Sequence, residues 1–125
     1  MSKILIIDDE KDIGGFVKKF LELTPGFRVI VATNGHEGLN LAARERPDLI
    51  LLDIIMPRMD GFAVLKALKD NLNTTAIPVI MLTALDTDEA KEKTLSLYHE
   101  DYIVKPFKAE ELKAKIEDVL SRRAQ

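Results

Sequence analysis

Pro47-Asp48-Leu49-Ile50-Leu51-Leu52-Asp53-Ile54-Ile55-Met56-Pro57-Arg58-Met59-Asp60-Gly61 is the stretch whose reading decides the fold. Four consecutive apolar residues, bounded by Pro47 on one side and a Pro/Gly loop on the other, are too few for a buried helix and fit a strand covered on both faces. The chain must turn directly after Asp53, and Asp60 stands where it can cap a new helix carrying Phe62, Leu65 and Leu68. Asp53 is thereby delivered to the rim of a sheet. Ligands of open α/β sheets bind beyond the carboxyl ends of the strands, so this carboxylate is either a cap or turn residue or a chemical group.

The same unit recurs on both sides. Ile4-Leu5-Ile6-Ile7 is an apolar run ending in Asp8-Asp9-Glu10, followed by Ile13, Phe16, Val17, Phe20 and Leu21 at helical spacing up to Thr24-Pro25-Gly26. Val29 to Ala32 predicts a second strand, and Asn34 with Glu37 resembles a capping box for a helix reaching about Glu45, before Pro47. Beyond the polar segment Asn71 to Ala76, Pro78 to Leu82 predicts strand four, and Asp86 and Glu89 can open a fourth helix. Tyr102-Ile103-Val104 predicts a short fifth strand. The last helix carries Leu112, Ile116, Val119 and Leu120 on one face, with Glu110 and Glu111 near its start and Arg122 and Arg123 near its end, as the helix dipole favours. Five strands alternating with helices imply a parallel, doubly wound α/β sheet of flavodoxin-like (βα)5 type, with strand order 2-1-3-4-5 expected.

The 125 residues fit one domain, 1–125, and 46% hydrophobic residues suffice for its core. A net charge of -3 and the lack of a dense Lys/Arg tract argue against direct nucleic-acid binding. The absence of cysteine excludes disulfides and thiolate metal sites. The first apolar run meets Asp8 and Asp9 too soon for a signal peptide, and no stretch approaches the roughly 18 apolar residues of a membrane span. A cytoplasmic protein without membrane contact is expected.

If all five strands are parallel, their carboxyl ends share one edge. Strand one brings Asp8 and Asp9 there, strand three Asp53, strand four Thr83, and strand five Lys105 before Pro106. Converging carboxylates repel unless a cation joins them, and Mg²⁺ suits a few carboxylate oxygens with water and phosphate oxygens. Lys105 adds a compact mobile cation and Thr83 a hydroxyl donor. A Gly-rich phosphate cradle of the Walker type is absent, so this reads as a phosphoryl site without a nucleotide loop.

Asp8-Asp9-Glu10, the segment Asp53 to Gly61, Thr83-Ala84 and Asp101 to Phe107, taken together, in order and at matching spacing, resemble the receiver domain of two-component response regulators over essentially the whole chain. The strand order rests on this resemblance as much as on handedness rules. The resemblance implies that Asp53 takes a phosphoryl group from a phosphohistidine on a sensor histidine kinase or phosphotransfer protein, as in a phosphorelay, giving an acyl phosphate. It implies that Asp9, Asp53 and the backbone carbonyl of Ile55 hold Mg²⁺, with Asp8 acting through the metal's water shell. Lys105 and Thr83 would bind phosphoryl oxygens and Tyr102 would swing inward, remodelling a face of helix four, strand five and helix five that regulates a downstream protein. The protein would be a monomer or a phosphorylation-dependent homodimer, and a switch with only self-directed phosphoryl chemistry rather than an enzyme. A cis Lys105-Pro106 peptide is also implied. A Mg²⁺-dependent aspartyl-phosphate phosphatase or phosphotransferase is the rival, but haloacid-dehalogenase-type enzymes place a second Asp where Ile55 stands. A flavodoxin-like cofactor binder is disfavoured, because the acidic pocket would repel a flavin phosphate.

Three positions depart from the common pattern. Tyr98-His99 replaces a Gly-Ala pair and Ala90, Leu95 and Leu97 make a thin apolar stripe, so mobility is expected in helix four. Gly14-Gly15 implies a soft start to helix one or close approach of a partner. Ile55 and Leu85, two residues beyond Asp53 and Thr83, offer no polar group to orient an attacking water, which predicts slow self-dephosphorylation. His36 and His99 are expected at the surface. With no linker before Gln125, a stand-alone regulator or an engineered domain is expected.

Overall fold

The computed structural model describes residues 1–84 and 101–123. The expectations about Leu85, the fourth helix, Tyr98 and His99 lie outside them. The five strands are β1 (Ser2–Ile7), β2 (Phe27–Ala32), β3 (Leu49–Asp53), β4 (Val79–Thr83) and β5 (Asp101–Val104). Helices α1 (Lys11–Leu21), α2 (Gly35–Glu45) and α3 (Gly61–Asp70) connect the first four, and a C-terminal helix spans Ala109–Arg123. All strand pairs are parallel, in the order β2-β1-β3-β4-β5. The expected doubly wound α/β sheet with order 2-1-3-4-5 is the observed one.

Alternation along the strands splits the interior into two cores. Ile4, Ile6, Leu49, Leu51, Ile80, Leu82 and Ile103 pack with Val17 and Leu21 of α1 and Leu112, Ile116 and Val119 of the C-terminal helix. Leu5, Ile7, Ile50, Leu52, Val79 and Met81 face the other way, onto Ala42 of α2 and Val64, Leu65 and Leu68 of α3. Every residue of β3 and β4 is buried, which is why these strands read as unbroken apolar runs.

Helix starts follow the expected chemistry with one variation. Asp60 Oδ1 accepts from Ala63 N–H at 2.9 Å and starts α3. Asn34 Oδ1 accepts from Glu37 N–H at 2.8 Å, but the Glu37 carboxylate accepts from Thr33 N–H, one residue before the position a capping box uses. Gly14 has a fold-level explanation: a Cβ there would lie 2.8 Å from Val31 Cγ1, so its bare backbone lets α1 settle onto β2. Gly15 is exposed, with nothing within 4 Å of the place a Cβ would take. Among the described residues no helix is long and apolar enough to cross a membrane.

Candidate functional site

Strand parity aligns the charged groups. Ile4 and Ile6, Leu49 and Leu51, and Ile103 share one face of the sheet, and two residues further on each strand yields Asp8, Asp53 and Lys105. Because Ile7 pairs with Leu52, Asp8 and Asp53 emerge side by side. The sheet continues one step past its strands through Asp8 N–H donating to Ala32 O at 3.0 Å and Ile54 N–H to Leu82 O at 2.9 Å. Lys105 is tethered by its own N–H, which donates to Thr83 O at 2.6 Å, and the next peptide, Lys105-Pro106, is cis.

The turn behind Asp53 is equally constrained. Gly61 N–H donates to Ile54 O at 2.7 Å, and a Cβ at Gly61 would collide with the Asp53 carbonyl and lie 2.6 Å from Ile54 Cα. Only glycine lets α3 begin this close to the strand end. Arg58, at φ 68°, takes the left-handed conformation that brings the loop round.

The Lys105 ammonium faces three carboxylates, Asp8 Oδ2 at 2.8 Å, Glu10 Oε1 at 3.3 Å and Asp53 Oδ1 at 3.4 Å. Asp8 is fully buried and also accepts from Glu10 N–H at 2.9 Å. Burial pushes the Asp53 carboxyl up to about 7, and the neighbouring Asp8 charge adds to this, against the pull of Lys105 and a hydrogen bond from the Ile55 backbone. Burial pulls Lys105 down, but the hydrogen bonds to Asp8 and Glu10 and the charges of Asp53 and Asp8 outweigh it and hold its pKa above the ordinary lysine value.

Carboxylate oxygens of Asp8, Glu10 and Asp53 lie within 4.8 Å of one another. This donor set is hard oxygen only. It fits Mg²⁺ and gives a soft metal nothing to bind. Burial first, and the Asp8 charge second, disfavour the ionised Asp53, and a divalent ion would offset both.

Of the residues singled out in the sequence, Asp8, Asp53 and Lys105 converge. Asp9 is exposed and stands outside the cluster. Ile55 places its backbone beside the Asp53 carboxylate while its side chain is 52% exposed. Thr83 is buried at the end of β4, in register with Val104, and Tyr102 pairs with Met81 two positions earlier. Thr83 and Tyr102 thus share the face opposite to Asp53, where Tyr102 packs on the α2–α3 core. His36 is exposed, as expected. Glu10 is the member the sequence reading quoted without giving it a role. Its signal was indirect: the Asp8 side chain holds the Glu10 amide, which turns the chain so that this carboxylate reaches back over the pocket.

Residues 4–117 match the family model described as response regulator receiver domain. Among curated relatives, the chain is 40% identical over 120 residues to the alkaline phosphatase synthesis transcriptional regulatory protein PhoP of Bacillus subtilis, covering 96% of this chain and 49% of that one. It is 41% identical over 122 residues to the DNA-binding dual master transcriptional regulator RpaA of Synechocystis, covering 98% of this chain and 50% of that one. The chain spans about half the length of the curated relatives it matches. Among solved structures, the receiver domain of the Francisella response regulator 1452 superposes with a TM-score of 0.86 at 37% identity, covering 100% of both chains. The chemotaxis protein CheY4 of Vibrio cholerae superposes at 0.88 with 33% identity, covering 95% of this chain and 98% of that one.

Proposed function

The chain belongs to the response regulator receiver domain family, and we propose that in it Asp53 is the phosphoacceptor of a phosphorylation-controlled switch. The observation that carries this reading is the pairing of a buried carboxylate, 3% exposed at the carboxyl end of β3, with a fixed ammonium 3.4 Å away. An Asp53 oxygen attacks phosphorus while the bond to the donor's imidazole nitrogen breaks, and that nitrogen keeps the electron pair. Lys105 then faces the transferred oxygens and balances charge as it spreads over them. Asp53 and the Ile55 carbonyl, with Asp8 acting through the metal's water shell, would hold Mg²⁺, which when bound supplies compensating positive charge to carboxylate and phosphoryl oxygens alike, while Asp9, the other holder expected from the sequence, lies outside this cluster.

Switching follows from register. Thr83 and Tyr102 sit two register positions apart on the same face of adjacent strands, so a Thr83 hydroxyl drawn toward a phosphoryl oxygen leaves space that Tyr102 can enter. The consequence is carried to the surface formed by β5 and its neighbours, where a downstream protein would read it. The donor would be a sensor histidine kinase or phosphotransfer protein. Ile55 supports this reading over the phosphatase alternative, because an aspartyl-phosphate hydrolase needs an acid/base group at that place and the side chain there is apolar and exposed.

Beryllofluoride with Mg²⁺ tests the switch. The amide resonances of Thr83 and Tyr102 are expected to shift in the parent and to stay in place in Asp53→Ala. No shift in the parent, or the same shift in the variant, defeats it.

A further inference from the structure

We propose that Glu10 is a donor-selecting residue, an electrostatic filter over the pocket that disfavours small dianionic phosphodonors. The inference rests on Asp53 being the phosphoacceptor. Asp8 and Asp53 are buried partners of Lys105, whereas the Glu10 side chain is 60% exposed and meets the ammonium from outside at 3.3 Å. Glu10 is also the first residue before α1 and makes no capping hydrogen bond with its side chain. Its carboxylate is therefore free of structural duty other than this ion pair. With Lys105 it lines a cleft of about 490 Å³ that also takes in Ile13, Phe16, Pro106 and Phe107.

The position has two consequences. A phosphoryl group arriving at Asp53 needs Lys105, so its oxygens must displace Glu10 from the ammonium. Before that, the approaching donor meets the Glu10 charge with little protein between them, at a cost proportional to the donor's own charge. Acetyl phosphate is a dianion near neutral pH and pays this cost twice over, compared with phosphoramidate, which is a monoanion. Glu10 thus disfavours free metabolites of acyl phosphate type relative to small donors of lower charge.

Both small donors give the same product. An Asp53 oxygen bonds to phosphorus as the bond to the leaving group breaks with its electron pair, releasing acetate from acetyl phosphate or ammonia from phosphoramidate, whose nitrogen already carries its third proton.

The test compares the parent with Glu10→Gln and Glu10→Asp at fixed ionic strength and saturating Mg²⁺. One charge at this range in a mostly aqueous path predicts a rise of about two- to fivefold in the acetyl phosphate rate constant for Glu10→Gln, and under about twofold for phosphoramidate. Glu10→Asp keeps the charge and is expected to keep the parent's donor ratio. Added salt shrinks the difference. Mg²⁺ affinity, followed through the Asp8 and Lys105 amide shifts, is expected to change by less than about threefold in Glu10→Gln. Equal changes with both donors, or none, overturn the proposal. So does a loss of about tenfold or more in Mg²⁺ affinity, which would make Glu10 a metal ligand. A parent that accepts no phosphoryl group from either donor defeats the phosphoacceptor reading and the filter with it, whereas a parent that is phosphorylated without donor discrimination by Glu10 removes the filter alone.

Discussion

Asp53 loses hydration through burial and faces a second carboxylate in Asp8, so its ionised form is disfavoured twice. The sign of the resulting pH dependence follows directly. A carboxyl that titrates near 7 in the fold, against 3.8 as the ordinary value, binds its proton more tightly folded than unfolded. Its contribution is harmless while both states are protonated and grows unfavourable as pH rises from about 4 to about 7. Asp53→Asn is expected to leave stability unchanged at the acid end of that window and to raise it by about 2–4 kcal/mol above it. Urea denaturation at several pH values checks this, and a gain independent of pH contradicts it. Excess Mg²⁺ should stabilise the parent in the same upper range and leave Asp53→Asn little affected.

In the proposed switch, Ile55 is expected to set how long a phosphoryl group on Asp53 lasts. Its exposed side chain borders the site without a donor or acceptor to orient water, and Leu85 supplies none either. An Ile55→Asn, Leu85→Glu double variant is expected to lose its phosphoryl group several-fold faster than the parent, since positioned proton-transfer groups commonly contribute more than about tenfold. A longer lifetime in the variant contradicts the account.

At the scale of the element, the paired glycines of α1 separate a packing requirement from a propensity cost. Gly15 is exposed with open space around it, so Gly15→Ala is expected to stabilise by about 0.5–1 kcal/mol. Gly14→Ala meets Val31 and is expected to destabilise by about 1 kcal/mol, the propensity gain being outweighed by displacement of that side chain. Thermal denaturation of both variants checks the contrast; equal effects would mean that α1 does not rest on β2 through Gly14.

The elements were legible for a physical reason. Strands such as Leu49–Asp53 and Val79–Thr83 are buried on both faces and so carry uninterrupted apolar runs, while Pro47 and Thr24-Pro25-Gly26 mark the helix ends. Strand starts were less legible. β2 begins at Phe27 and β1 at Ser2, earlier than the apolar runs suggest, because Ser2 N–H donates to Gly26 O and register is set by the neighbouring strand. Gly14 could not be read as a packing glycine, since its partner Val31 is distant in sequence.

Across the whole molecule, the candidate site lies where one core layer reaches the rim of the sheet. Ile4 and Ile6, Leu49 and Leu51, and Ile103 belong to the layer under α1 and the C-terminal helix, and the chains they anchor end in Asp8, Asp53 and Lys105. Residue types were visible in the sequence. Their parity was visible too, and it puts Asp8 beside Asp53 on the face that Asp9 does not share. What the sequence could not supply was the third partner of Lys105, because the reach of an exposed Glu10 depends on how the chain turns after β1.

All of this turns on one covalent event at one residue, and intact-mass measurement after incubation with acetyl phosphate reads it. With Mg²⁺ present the account predicts a mass gain of a single phosphoryl group, lost when the metal is chelated and absent from Asp53→Ala. A protein that gains no phosphoryl group, or an Asp53→Ala variant that gains it equally well, would contradict the account.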